Sequence, residues 1–135
     1  MKIMRGNARP TRRGNDAWFT GQVLQDQIIE DEDRARAVTV RFAPGARTFW
    51  HTHPRGQTIH VVSGVGRAQA QGGPVVALRA GDTVAFMPGE KHWHGAAPGH
   101  AMTHVAIHEA LDGVTVDWLE PVSEEDYATP ATGEG

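Results

Sequence analysis

The reading of this chain turns on the stretch Gly45-Ala46-Arg47-Thr48-Phe49-Trp50-His51-Thr52-His53-Pro54-Arg55-Gly56-Gln57. His51 and His53 are two residues apart. On an extended chain, residues i and i+2 share a face, so the two imidazoles converge on one point. Gln57 follows a Pro-x-Gly turn and opens the run Gln57-Thr58-Ile59-His60-Val61. If Gln57 faces inward, so do the apolar Ile59 and Val61, and His60 faces out. A second stretch, Gly81 to Ala96, repeats the H-x-H spacing at His92 and His94, after Pro88-Gly89 and with Trp93 on the opposite face. A third, Met102 to His108, puts His104 and His108 on one face of a strand. Val105 and Ile107 are apolar too, so hydrophobicity alone leaves the inward face open there. The β-branched Thr103, Val105 and Ile107 favour a strand over a helix. One histidine is ordinarily satisfied by water or packing, but two H-x-H pairs beside Pro and Gly turns predict a metal site. His60, by parity, and His100, in a loop beside Gly99, fall outside it. Trp18, Trp50 and Trp118 read as packing or interface residues.

Around these stretches lie short segments of strand character. Ala37–Phe42 ends at Pro44-Gly45, Thr58–Val62 at Ser63-Gly64, and Val65–Gln71 at Gly72-Gly73-Pro74. Val75–Leu78 ends at Ala80-Gly81-Asp82, Thr83–Met87 at Pro88-Gly89, and Met102–His108 follows Pro98-Gly99. Strands at this spacing, with no long helical period between them, predict an all-β sandwich or barrel. Residues 1–16 are basic and aperiodic and read as an irregular arm. Ala17 opens the extended pattern. Glu30 to Asp33 is an acidic run that reads as a solvated loop. Ser123-x-x-Asp126 resembles a capping box and predicts one short helix near the C-terminus. We place one domain at 17–127 and expect residues 128–135 to fray.

The chain has 135 residues, one domain's worth. It has no cysteine, which excludes disulfides, thiolate nucleophiles and thiolate metal sites, and fits a reducing compartment such as the cytoplasm. A formal net charge of −3 lacks the basic footprint of a nucleic-acid binder. No apolar run approaches the ~18 residues of a membrane span. The basic N-terminus has no apolar stretch after it and does not read as a secretory signal. Eight histidines and 16 glycines are the outlying counts: more imidazole than packing needs, and many turns.

The two histidine stretches resemble the two motifs of the cupin superfamily. Gly45-x5-His51-x-His53-x3-Gln57-x6-Gly64 is similar to the first, and Gly81-x6-Pro88-Gly89-x2-His92 to the second. The resemblance implies a small jelly-roll β-barrel holding a divalent metal through His51, His53, residue 57 and His92. The usual family pattern has Glu where Gln57 stands. Finer likenesses, including Gly89 to Pro98, Ala101 to His104 and Val116-Asp117-Trp118-Leu119-Glu120, extend over roughly 17–127. They point to a bacterial cupin subgroup that includes manganese-dependent hydroxynitrile lyases and many uncharacterised relatives. In that subgroup His, His, Gln and His bind the metal. The resemblance puts His94 at the pocket and His104 at a pocket histidine of the lyase-like members.

The donor set has chemical consequences of its own. Three imidazoles and one amide oxygen leave a divalent ion its full +2 charge, which favours polarising a bound oxygen as a Lewis acid over supporting high oxidation states. Nitrogen and oxygen ligation admits Mn, Fe, Co, Ni or Zn; the resemblance favours Mn. The leading expectation is cyanohydrin cleavage to an aldehyde plus cyanide, and its reverse. His94, His104 and His108 are the candidate proton carriers, and Val38, Val40 and Phe42 the candidate apolar wall for an aromatic aldehyde. Two alternatives stay open. One is a metal-dependent dioxygenase or decarboxylase acting on a small hydroxy- or keto-acid, with Arg47 or Arg55 as carboxylate partner, although both read more naturally as solvated turn charges. The other is a cupin that binds a small molecule without catalysis. Lys91 reads as pointing outward. Exposed strand edges, with Trp18–Ile29 able to add to a neighbour's sheet, predict a homodimer or homotetramer.

Overall fold

The computed structural model describes residues 1–30 and 34–133. Twelve strands and one short helix follow in chain order: β1 (Arg12–Arg13), β2 (Phe19–Thr20), β3 (Val23–Glu30), β4 (Ala35–Phe42), β5 (Arg47–Thr48), β6 (His51–Thr52), β7 (Gln57–Ala70), β8 (Val76–Arg79), β9 (Thr83–Phe86), β10 (His92–Ala96), β11 (Met102–Glu109), β12 (Asp117–Trp118) and α1 (Glu124–Ala128). Among the described residues every pairing between these strands is antiparallel, and the strands form one curled sheet with the main order β1-β3-β4-β11-β7-β10-β5-β2. The expected all-β jelly-roll is the architecture found. Asp31 to Asp33, most of the expected acidic loop, lie outside the described residues; Glu30 ends β3 and pairs with Arg12 at 3.8 Å.

Strand β7 curls the sheet. Two strands were expected here, split at Ser63-Gly64. The chain instead runs extended from Gln57 to Ala70. The first half pairs with β11 and β9, and the second half with β10 and β8. Gly64 makes the bend with φ of 83°, and a Cβ there would sit 2.0 Å from the Ala101 carbonyl oxygen. The glycine thus turns a strand between two layers without ending it.

Between the layers the inward residues form rows across β3, β4, β11 and β7. One row is Gln25–Val40–His104–Val61 and the next is Gln27–Val38–Ala106–Ile59. The row after that is Arg36–His108–Gln57, continued by Phe86 on β9. The predicted parity of Gln57, Ile59 and Val61 is the one found, and His104 and His108 share the inward face. The core comprises Phe19, Val23, Phe42, Ile59, Val61, Leu78 and Met102, among others.

A second, smaller cluster of Trp50, Val75, Trp93, Val122 and Tyr127 lies under the C-terminal segment. Five residues are too few for a helix to hold itself. Ser123 caps α1, accepting from the Asp126 N–H at 3.0 Å, and the Tyr127 hydroxyl donates to the Ala96 carbonyl at 2.6 Å. Arg47, expected as a solvated charge, is buried instead. Its guanidinium sits 4.2 Å over the Tyr127 ring and donates to Val122 O and Glu124 Oε1. In the C-terminal segment the Thr132 N–H donates to Val75 O and the Thr132 carbonyl accepts from Ala77. The arm carries a 3-10 turn at Gly6–Ala8 and the short β1, paired to β3.

Candidate metal centre

His51 begins β6, His92 begins β10, and the two are direct cross-strand partners. His53 lies two residues further along the first stretch, and Gln57 begins β7. One ring nitrogen from each of His51, His53 and His92 falls within 4.8 Å of the others, and all three side chains are buried. In each ring Nδ1 faces a backbone carbonyl: Phe49 O at 2.9 Å, Thr115 O at 2.6 Å and Glu90 O at 2.8 Å respectively. A carbonyl only accepts, so Nδ1 carries the proton and donates. Each Nε2 is left with a lone pair. The Nε2 of His53 is buried with no hydrogen-bond partner.

The Gln57 amide oxygen lies 3.1 Å from His92 Nε2 and 3.2 Å from His94 Nε2. Against His92 this sets one lone pair against another, which is unfavourable in a buried site unless a cation lies between them. The orphaned His53 nitrogen and this facing pair fit a divalent cation, with backbone carbonyls fixing tautomer and ring orientation as metal-binding histidines require. Burial pushes His92 down to about 4, and holds His53 below and His51 well below the ordinary 6.5. The rings are therefore neutral near pH 7, the state in which imidazole binds metal.

Beside this cluster His94 and His104 form a pair. His104 Nε2 and His94 Nδ1 are 3.0 Å apart and share one proton, while His104 Nδ1 is buried without a partner. Burial is the main cause that lowers both, His104 to about 4 and His94 well below its ordinary value, where His104 and the cluster rings add to the effect. The His108 ring lies tilted against that of His53, with centroids 4.7 Å apart. Burial, then His53 and Arg36, push it down to about 4.

His51, His53, Gln57, His94, His104 and His108 open on one cavity of about 410 Å3, its mouth included. The remaining wall is mostly apolar: Phe19, Val38, Val40, Phe42, Ala106, Val116 and Trp118, with Thr48 and Gln25. All three residues expected to form the apolar wall are there. His92 is fully buried and stacks on Phe86 at 3.6 Å. His60 is exposed and bonds Thr83, and His100 is exposed. Lys91 points away to an ion pair with Glu120 and lies 5.3 Å over the Trp50 ring.

Several site residues were not found in the sequence. Trp118 is more than packing: it lines the cavity, lies 4.7 Å from His51 and stacks on Trp18 at 5.5 Å. Its aperiodic neighbourhood gave no strand parity to follow. Thr115 contributes only a carbonyl, which leaves no side-chain signature. Gln25 shares parity with inward Val23, but Leu24 on the opposite parity is apolar too, so alternation did not mark the inward face.

Fold and site define a small jelly-roll barrel with a histidine-rich centre fit for a divalent metal. The cupin domain family matches residues 38–108, and the chain belongs to that family. It is 52% identical over 129 residues to the (R)-mandelonitrile lyase of Granulicella tundricola, covering 94% of this chain and 98% of that protein. Among solved structures it is similar to a cupin-like protein from Thermotoga maritima, with TM-score 0.85 and 38% identity over 90% of this chain and 94% of the other. The polyketide cyclase RemF from Streptomyces resistomycificus shares the fold, with TM-score 0.74 and 18% identity over 94% of this chain and 90% of that one.

Proposed function

We propose that this protein is a metal-dependent lyase that cleaves aromatic cyanohydrins to aldehyde and hydrogen cyanide, and catalyses the reverse addition. The observation that carries this reading is a neutral His/Gln donor cluster opening on an apolar cavity, with a buried pair of neutral imidazoles beside it. The relative named (R)-mandelonitrile lyase supports it along nearly the whole chain. His51, His53, Gln57 and His92 would hold the ion; manganese is our first choice, with Fe, Co, Ni or Zn as alternatives. A divalent metal there supplies Lewis acidity toward a substrate oxygen.

The chain's own residues do the rest. Val38, Val40, Phe42, Phe19 and Trp118 receive the aryl group and exclude water. With the shared proton on His94 Nδ1, the lone pair of His94 Nε2 faces the cluster and takes the hydroxyl proton of the cyanohydrin. The carbon–carbon bond breaks, its electron pair leaves with cyanide, and the carbonyl forms. Cyanide then takes the proton back from the protonated imidazole, and His104 steadies the charged ring in between. His108, beside His53, is the second candidate donor to cyanide.

A carboxylate substrate fits less well. Among the described residues no lysine or arginine lines the cavity, and Arg47 is engaged with the C-terminal segment. We further propose a homodimer or homotetramer, since Ile28, Ile29, Val62 and Ile107 leave apolar surface on the described outer face. The function is tested by condensing benzaldehyde with cyanide and separating the enantiomers of the product. An (R) excess that vanishes on chelation is expected; racemic product at the buffer rate would contradict the reading.

A further inference from the structure

A second void stands behind the donor cluster. It measures about 550 Å3 with its open mouth and is lined in part by Arg55, Thr58, Ile107 and Glu109. It shares two lining residues with the main cavity, Gln57 and His108. These are side-by-side cross-strand partners, at the start of β7 and near the end of β11, and both voids are lined by them. The voids differ in character. The main cavity is walled by aliphatic and aromatic side chains, while the second carries a guanidinium, a carboxylate and a hydroxyl. In this shared lining His108 Nδ1 is buried without a partner, and so is Nε of its cross-strand neighbour Arg36. Arg55 forms no ion pair among the described residues. A buried polar atom left unpaired calls for a ligand or water.

We propose that this polar vestibule is the route by which the small inorganic reactant, cyanide, reaches and leaves the centre, while the organic carbonyl compound occupies the apolar cavity. The assignment rests on the cyanohydrin reading above. Cyanide is small, linear and a hydrogen-bond acceptor, and suits a polar passage flanked by Arg55 and His108 with Arg36 one strand beyond. The aryl group has its apolar cavity already. With two routes, cyanide can depart while the aldehyde is still bound, and neither product blocks the other.

The test narrows the vestibule with Thr58→Trp and, independently, with the exposed Glu109→Trp, each checked for native circular dichroism. The expected result is a KM for cyanide raised about tenfold or more, with the KM for benzaldehyde within about twofold of the parent. A second readout needs no lyase activity: azide binding to the Co(II)-loaded protein, followed by visible absorption in a stopped flow. Its association rate should fall by a similar factor in both variants. If the parent shows no cyanohydrin chemistry but azide association is slowed, the vestibule stands and the cyanohydrin reading fails. Unchanged azide association in a folded variant, or cyanide and benzaldehyde KM values rising together, would overturn the vestibule.

Discussion

At the scale of single residues, the neutral fourth donor proposed at Gln57 is the choice with the largest consequence. On the proposed reading Gln57 would offer an oxygen without adding negative charge, and the ion would keep its electrophilicity. Gln57→Glu is expected to bind divalent metal more tightly and cleave mandelonitrile more slowly. Metal titration with parallel rate measurement checks this, and a variant both tighter and faster would contradict the charge reasoning. His94→Ala and His104→Ala should lower kcat by ~10²–10⁴-fold, the usual worth of a positioned proton carrier, while metal content by mass spectrometry stays at parent level. Loss of metal in either would make that residue a ligand or a ligand's support instead. The H-x-H pairs and the inward parity of Gln57 were legible because alternation on a strand leaves a mark in sequence. The partners of Nδ1 were not: Phe49, Thr115 and Glu90 act through carbonyl oxygens that every residue possesses.

At the scale of elements, the barrel depends on strands that change partners without stopping. Ser63-Gly64 carries the signal of a turn, and nothing in a one-dimensional pattern separates a turn from a kink within β7. What decides it is the carbonyl of Ala101, in the segment that leads into β11, which leaves no room for a Cβ. Gly64→Ala should therefore cost roughly 3 kcal/mol or more, since it demands both a positive φ and backbone displacement. Chemical denaturation measures this, and a loss under about 1 kcal/mol would show that the bend relaxes readily. The capping box of α1 was legible from Ser123 and Asp126. The burial of Arg47 was not, because its partners lie 75 and 77 residues away. Trp118 was hidden for a related reason: β12 is two residues long and takes its place from pairing with β6.

At the scale of the whole molecule, five neutral histidines lining one cavity, with His92 buried beside them, link stability to pH. In the unfolded chain they titrate near 6.5, whereas in the fold all six are depressed, with His92, His104 and His108 at about 4. Below 6.5 the unfolded state therefore binds more protons than the folded state. Stability is fully present above that value and is lost as pH falls below it, with His92, His104 and His108 each contributing about 1 kcal/mol per pH unit down to about 4. Denaturation midpoints of metal-free protein should fall steeply from pH 6.5 to 4.5; a flat profile there would mean the rings are not held neutral. The central claim is that the metal cluster and the cavity together make a cyanohydrin lyase. The most direct measurement is the cleavage of racemic mandelonitrile by manganese-reconstituted protein, following benzaldehyde release and the enantiomer that remains. Metal-stripped protein and His51→Ala run alongside. Rapid, enantioselective release is expected in the reconstituted protein, and none above buffer in the two controls. Equal rates in all three, with stoichiometric metal confirmed in the first, would contradict it.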